Sequence, residues 1–297
     1  MSVLEINNIS KSYGRIKALS DVSFNVPQGS VFGILGPNGS GKTTMLSIIL
    51  DVLQSDGGSY KWFGEAPSHL HRKKIGSLLE TPNLYHYLTA VQNLRITKSI
   101  SGRGSESQIN EVLQKVNLHE RKNSRFTTYS LGMKQRLAIA AALLGSPSVL
   151  VLDEPTNGLD PVGIAEIRDL IKNLAKDGHT IIMASHLLDE VEKVCDHVAI
   201  LKRGKLIAYG SVENVLSDED CYLLNAQNID ELKNMISLLP KLLKVIETME
   251  GLECYFNKGD ILPNEINEFC FHHGIILSQL ANKKKRLEEK FFELTND

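Results

Sequence analysis

The sequence lacks long apolar runs, and none of its segments approaches the about 18 consecutive apolar residues that a membrane-spanning helix needs. Residues 1–14 also lack the basic start and the apolar core of a signal peptide. An excess of one charge is missing as well, because a formal net charge of −2 gives the chain no general attraction to nucleic acid. These absences predict an intracellular protein with no membrane span of its own and no nucleic-acid partner.

Cysteine is scarce, and no two cysteines form the C-x-x-C pair of a redox or zinc site. Scattered thiols of this kind are typical of a reducing compartment, where they are usually buried as small hydrophobic side chains. We therefore expect unpaired, buried thiols at every cysteine. The cysteines are Cys195, Cys221, Cys254 and Cys270.

Short apolar runs alternate with helical patterns along the first two thirds of the chain, which is typical of an α/β protein with a parallel sheet. The runs 31–35, 149–152 and 180–184 contain no polar alternation, as expected of strands covered on both faces. The early segments 3–9 and 18–26 alternate instead and predict antiparallel strands with one exposed face. The sequence thus predicts a mixed sheet beside an antiparallel one.

The remaining segments predict two additions to this sheet. Residues from about 85 to 145 show an almost wholly helical pattern, which indicates a helical subdomain inserted before the later strands. Residues 217–297 carry no nucleotide motif and combine helical and strand patterns. We interpret them as an accessory α+β domain, such as a split βαβ unit, behind a core domain at 1–216. The tail segments are helices at 229–239, 264–272 and 287–294, and strands at 252–256 and 275–280.

A complete G-x-x-x-x-G-K-[ST] loop lies between the strand at 31–35 and a helix predicted at 42–53. Its glycines allow backbone N–H groups to converge on phosphates, Lys42 would reach the β- and γ-phosphates, and the Thr43 hydroxyl would contact Mg²⁺. A chance glycine turn is the alternative, but every motif position is filled. The loop therefore predicts a nucleoside triphosphate site. Its residues are Gly36, Pro37, Asn38, Gly39, Ser40, Gly41, Lys42 and Thr43.

Polar residues follow both of the later buried strands. Asp153 and Glu154 directly follow the run 149–152; Asp153 could hold Mg²⁺, and Glu154 could accept a proton from an attacking water. The alternative is that one of these acids only caps the end of the strand. His186 follows the run 180–184 and could contact a γ-phosphate, although a lone histidine is more often structural.

A second possible phosphate cradle lies at Ser130 and Gly132, at the start of a predicted helix. A hydroxyl and free backbone N–H groups at that position favour an anion. The simpler interpretation is that Ser130 caps its own helix. Because the loop at 36–43 already binds phosphates in this prediction, a second phosphate cradle at Ser130 and Gly132 requires an explanation.

Together, these motifs resemble the nucleotide-binding subunit of ABC transporters over residues 1 to about 215. In that family two subunits face each other head to tail, and the signature loop of each closes over the ATP of the other, which would explain the second cradle. The resemblance implies that Ser130 and Gly132 belong to the signature, that Asp153 binds magnesium, that Glu154 is the general base and that His186 is the switch histidine. It further implies that Tyr13 stacks on adenine, that Thr44 extends the phosphate loop and that Asp160 links the two sites of a dimer.

Two departures from the family pattern are typical of its bacitracin- and lantibiotic-resistance branch. The signature reads Tyr-Ser-Leu-Gly-Met at 129–133 where Leu-Ser-Gly-Gly-Gln is commonest, and Glu80 replaces a glutamine that contacts magnesium. The resemblance implies an ATP- and Mg²⁺-dependent motor subunit of an exporter. It would pair with itself or a sister chain and work with a separate polytopic membrane subunit at the cytoplasmic face of the membrane. The alternative is a soluble ABC-type ATPase that acts on ribosomes or nucleic acid.

Overall fold

A computed structural model describes residues 1–79, 83–216, 219–283 and 287–295. The chain divides into two compact units, residues 1–211 and residues 212–297. Whether the second unit is a separate functional domain, as the predicted boundary after residue 216 implies, stays a prediction. In the described ranges, no helix is both long and apolar enough to cross a bilayer. All four cysteines are buried and none of them forms a disulfide bond, as predicted.

The first unit combines strands and helices, with single 3₁₀ turns at His119–Arg121 and Phe126–Thr128. In chain order they are β1 Ser2–Tyr13, β2 Ile16–Pro27, β3 Val31–Leu35, α1 Lys42–Ile49, β4 Gly57–Trp62, α2 His69–Lys73, β5 Ile75–Leu78, α3 Ala90–Ser101, α4 Glu106–Lys115, α5 Leu131–Leu143, β6 Val149–Asp153, α6 Pro161–Lys176, β7 Thr180–Ser185, α7 Leu188–Val194, β8 His197–Lys202 and β9 Lys205–Ser211.

The central sheet has the strand order β5-β6-β7-β3-β8-β9, and all neighbours are parallel except β8 and β9. Strands β3, β6 and β7 are buried along their whole length, which confirms the prediction made from their unbroken apolar runs. A second, antiparallel sheet has the order β2-β1-β4. Phe24 on β2 stacks on Phe32 on β3 with 5.3 Å between ring centroids, so one core joins the two sheets.

One local expectation in this unit was wrong, and one strand was missed. The helix predicted at 42–53 ends at Ile49, because Asp51 takes a left-handed backbone conformation with φ 60°. Strand β4 was missed because Gly57 and Gly58 indicate a turn. A Cβ on Gly58 would collide with the carbonyl oxygen of Asn8, so glycine lets β4 approach β1.

The predicted helical stretch contains α3, α4 and α5, and α5 packs closely on the edge of the central sheet. A Cβ on Gly76 of β5 would collide with the carbonyl oxygen of Ala142 near the end of α5. Arg103, between α3 and α4, donates from Nη1 to the carbonyl of Ile75 at 2.6 Å, and burial lowers the pKa of Arg103. The close approach at Gly76 fixes the end of the helix that begins at the candidate signature.

The second unit is a four-stranded antiparallel sheet of order β11-β12-β10-β13 with two helices between its strands. This β-α-β-β-α-β order confirms the predicted split βαβ unit. Strands β10 and β11 were not predicted: β10 begins with acids, and β11 is an edge strand without a continuous apolar face. The elements are α8 Val212–Leu216, β10 Glu219–Ala226, α9 Ile229–Ile236, β11 Leu242–Thr248, β12 Gly251–Asn257, α10 Pro263–His272, β13 Leu277–Asn282 and α11 Leu287–Thr295.

Candidate nucleotide site

Three groups of candidate residues meet at the carboxyl edge of the central sheet. The phosphate loop follows β3, Asp153 is the last residue of β6 with Glu154 directly after it, and His186 follows β7. Because β7 lies between β6 and β3 and all three strands are parallel, their carboxyl ends share one edge. This edge is where α/β proteins usually bind ligands.

The phosphate loop folds around the side chain of Lys42. The Nζ atom donates to the carbonyl of Gly36 at 2.8 Å and to that of Pro37 at 3.4 Å, and Lys42 is 6% exposed. Gly41, with φ 104°, precedes α1, and a Cβ there would lie 2.5 Å from the carbonyl oxygen of Ala18. The loop backbone and the start of α1 thus form a cradle of the kind that suits phosphates, and nucleotide binding by these residues stays a prediction.

Glu154 contacts two of the other candidate residues. Its Oε1 lies 3.4 Å from Nζ of Lys42, and its Oε2 lies 2.8 Å from Nδ1 of His186. Since a carboxylate only accepts, Nδ1 of His186 carries the hydrogen in this contact. The structure therefore brings together the predicted phosphate-binding lysine, general base and switch histidine.

The residues predicted to hold magnesium have suitable chemistry where the structure describes them. Asp153 is the last residue of β6 and is 1% exposed, and Thr43 lies exposed in the first turn of α1. Carboxylate and hydroxyl oxygens are ligands that Mg²⁺ prefers. Glu80, the third predicted ligand, lies outside the described residues.

The second cradle is the N-terminus of α5. Ser130 is exposed, and its Oγ accepts from the amide of Met133 at 3.2 Å, so the simple capping interpretation is correct. Gly132 lies beside α6, since its Cβ would be 4.0 Å from Cα of Gly163. Among the described residues, no hydrogen bond or ion pair joins Ser130 to the phosphate loop or Glu154. A role beyond capping would need a ligand from elsewhere.

The remaining candidates lie at or near the ends of elements. Asp160 caps α6, with Oδ1 accepting from the amide of Gly163 at 3.0 Å. Tyr13 is the last residue of β1 and is 51% exposed. Thr44 lies partly buried in the first turn of α1. The structure does not bring Asp160 or Tyr13 into hydrogen bonds with the Lys42–Glu154–His186 group among the described residues.

Sequence reasoning missed one contact at this site. The turn between β8 and β9 reaches the phosphate loop, where the amide of Gly204 donates to the carbonyl of Ser40 at 3.0 Å. The pair Arg203-Gly204 between two strand patterns is a hairpin signal, but nothing in the sequence indicates which segment the hairpin contacts.

Comparisons with known proteins identify the family of this chain. A family model described as ABC transporter matches residues 19–157. The chain is 33% identical over 298 residues to the bacitracin transport ATP-binding protein BcrA of Enterococcus faecalis, covering 98% of this chain and 96% of the relative. It is 42% identical over 216 residues to the lantibiotic transport ATP-binding protein SrtF of Streptococcus pyogenes, covering 72% of this chain and 94% of the relative.

Solved structures give the same result. The dimeric ATP-binding cassette MJ0796, in a post-hydrolysis state with ADP and Pi, is 28% identical and superposes with a TM-score of 0.63, covering 70% of this chain and 98% of that one. The resemblance seen in the motifs is confirmed, including its bacitracin and lantibiotic branch. The chain therefore belongs to the ATP-binding proteins of the ABC transporter family and is an ATPase.

Proposed function

We propose that this chain is the motor subunit of an exporter, that it works with a separate membrane subunit and that its cargo resembles an antibiotic, a drug or a lipid. The observation that carries the motor role is the Lys42–Glu154–His186 arrangement beside the phosphate loop. Export is supported by likeness to bacitracin and lantibiotic transport proteins, which in one case extends over 98% of the chain.

Hydrolysis follows from the contacts of Glu154. When ATP binds in the loop, the ammonium group of Lys42 exchanges its contact with Glu154 for contacts with the β- and γ-phosphates. There it offsets the negative charge that develops during phosphoryl transfer. Glu154 is then available to accept a proton from the water that attacks the γ-phosphate. The hydrogen bond from Nδ1 to Glu154 orients the ring of His186, to which we assign the sensing of the γ-phosphate.

Thr43, Asp153 and Glu80 would hold Mg²⁺, which neutralises phosphate charge when bound. Tyr13 offers an exposed ring on which adenine can stack. Ser130, Gly132 and Asp160 would face the ATP of a second copy or of a sister chain. Their position at exposed helix N-termini suits this role, because free backbone N–H groups and the helix dipole favour phosphate.

A groove on the helical side of the first unit is the docking surface that we assign to the membrane subunit. Its volume is about 380 Å³, and exposed hydrophobic side chains lie at and beside it, such as Ile100 (79% exposed) and Tyr87 (69% exposed). An exposed apolar groove with a few polar groups is typical of a protein-binding surface. Docking there would hold the chain at the cytoplasmic face of the membrane. The lining residues are Asn83, Leu84, Tyr85, Asn93, Ile96, Thr97 and Ile100.

Purification of the tagged chain from its own cell membranes in mild detergent tests this proposal. We expect a polytopic membrane protein to co-purify in about equal amount, since each motor subunit needs a binding site on its partner. Substitution of Ile100 by aspartate is expected to reduce this recovery. Recovery of ribosomes or DNA, with no membrane protein, would overturn the proposal in favour of the soluble ATPase.

A further inference from the structure

The turn between β8 and β9 contacts the phosphate loop directly, although neither strand contributes a predicted site residue. The amide of Gly204 donates to the carbonyl of Ser40 in the loop, with 3.0 Å between nitrogen and oxygen. The carbonyl of Gly204 accepts from the amide of Ser20 on β2 at 2.8 Å. One glycine therefore bridges the phosphate loop and β2 through its two backbone groups.

The geometry of the turn leaves this amide available. Arg203 and Gly204 both lie in the left-handed region, with φ 48° and 77°, and Lys202 pairs with Lys205. This is the pattern of a two-residue type I′ hairpin, in which the flanking residues make the hydrogen bonds that close the turn. The amide of Gly204 is not needed for closure and serves the phosphate loop instead.

Close backbone packing makes this contact rigid. A Cβ on Gly204 would lie 2.6 Å from the carbonyl oxygen of Ala18 and 3.1 Å from the nitrogen of Leu19. The same carbonyl of Ala18 lies 2.5 Å from the Cβ position of Gly41, in the phosphate loop. The turn, the loop and β2 thus meet at Ala18 with no side chain between them.

The hairpin also supports the start of the loop. A Cβ on Gly36 would collide with the carbonyl oxygen of Leu201 at the end of β8. The carbonyl of Gly36 is itself the closer acceptor for Nζ of Lys42, at 2.8 Å. The hairpin therefore contacts the loop at Gly36 and at Ser40, on both sides of the exposed residues 37–39.

We propose that the β8–β9 turn sets the position of the phosphate loop and that Gly204 is a positioning residue for ATP. Several N–H groups must converge on the phosphates, so a small displacement of the loop weakens all of these contacts together. The proposal rests on ATP binding by this loop. It predicts a loss of ATP affinity with little change in the chemical step, because Glu154 and His186 follow β6 and β7 and do not contact the turn.

The test is Gly204→Ala in the full chain, with Gly29→Ala as the matched control. Both glycines have nearly the same φ, 77° and 76°, but no atom lies within 4 Å of a Cβ on Gly29. Both variants therefore place alanine in the left-handed region, and only Gly204→Ala displaces neighbours. We expect the KM for ATP to rise about tenfold in Gly204→Ala and kcat to stay within about twofold of the wild-type value. A tenfold rise in KM corresponds to the loss of about one hydrogen bond. Gly29→Ala should keep the wild-type KM.

A second variant and an unaltered-chain measurement complete the test. Gly204→Asn tolerates the left-handed backbone but carries the Cβ, so the same rise in KM is expected. Lys42→Ala must lose ATP binding; if it does not, the ATP site itself is wrong. Loss in Lys42→Ala with an unchanged KM in both Gly204 variants overturns the positioning role alone. If the variants do not fold, ATP should still slow hydrogen exchange at the amide of Gly204 in the unaltered chain, and unchanged exchange overturns the proposal.

Discussion

Glu154 and His186 come from neighbouring strands, and their side chains meet with 2.8 Å between Oε2 and Nδ1. Glu154 reaches this position through a left-handed backbone conformation, with φ 48°, and its amide donates to the carbonyl of Ala184 at 3.0 Å. Such a conformation costs about 1–3 kcal/mol in a residue other than glycine, and it is commonest at functional sites. The left-handed backbone therefore points the side chain of Glu154 in a different direction from the side chain of Asp153, the last residue of β6.

Gly58 and Gly64 give a direct test of the close approach between β1 and β4. Both have φ 79°, but only a Cβ on Gly58 collides with the carbonyl of Asn8, whereas a Cβ on Gly64 meets no atom within 4 Å. We expect Gly64→Ala to lower the free energy of unfolding by about 1–2 kcal/mol through backbone strain. Gly58→Ala should cost about 1–3 kcal/mol more through the collision. Chemical denaturation measures both, and equal losses would contradict this packing.

A buried carboxylate in the second unit predicts a pH-dependent stability. Burial would raise the pKa of Glu253, but hydrogen bonds from Lys283 (2.6 Å) and Tyr255 (2.7 Å) outweigh it and hold the pKa below its usual value. A carboxyl with a lowered folded pKa stabilises the protein above its unfolded pKa of about 4.3. This contribution disappears as the pH falls through the folded pKa.

Glu253→Gln is therefore expected to lower the free energy of unfolding at pH 7 by about 1–3 kcal/mol. The difference from the wild type should shrink as the pH falls below about 4. Calorimetric unfolding between these pH values measures it, with Glu268→Gln as an exposed control on α10. A difference that stays constant with pH would refute the assigned role of the Lys283–Glu253 pair.

The proposed sharing of sites between two chains predicts complementation. Lys42→Ala removes the phosphate lysine, and Ser130→Glu places a negative charge where the partner's ATP would lie, so each variant alone should lose turnover. In a mixed dimer, the intact loop of one chain faces the intact signature of the other. Mixing equal amounts should restore about a quarter of the wild-type rate, because half of the dimers are mixed and each has one intact site. An absence of recovery, with both variants folded, would contradict a homodimer.

The sequence could predict which residues meet at the site because its motifs are local. The spacing of the phosphate loop, the acid pair at 153–154 and the position of His186 all follow from short segments next to buried strands. The phosphate role of Ser130 stays a prediction, because its contacts show only the capping of its own helix.

The missed features depend on contacts between distant segments. Gly58 looks like a turn residue until β1 is placed beside it, and Gly204 looks like an ordinary hairpin residue until Ser40 is placed beside its amide. Strand β11 was missed because an edge strand needs no continuous apolar face. None of these tertiary contacts leaves a periodic signal in the sequence.

The most direct test of Glu154 as the general base is to measure steady-state ATP hydrolysis and ATP affinity in Glu154→Gln and in the wild type. Glutamine keeps the size of the side chain and an oxygen that can accept from His186, but it cannot take a proton from water. It also ends the ion pair at 3.4 Å that competes for Lys42. We predict that kcat falls at least about 100-fold while ATP binds as tightly as before or more tightly. Undiminished turnover in Glu154→Gln would contradict the proposed mechanism.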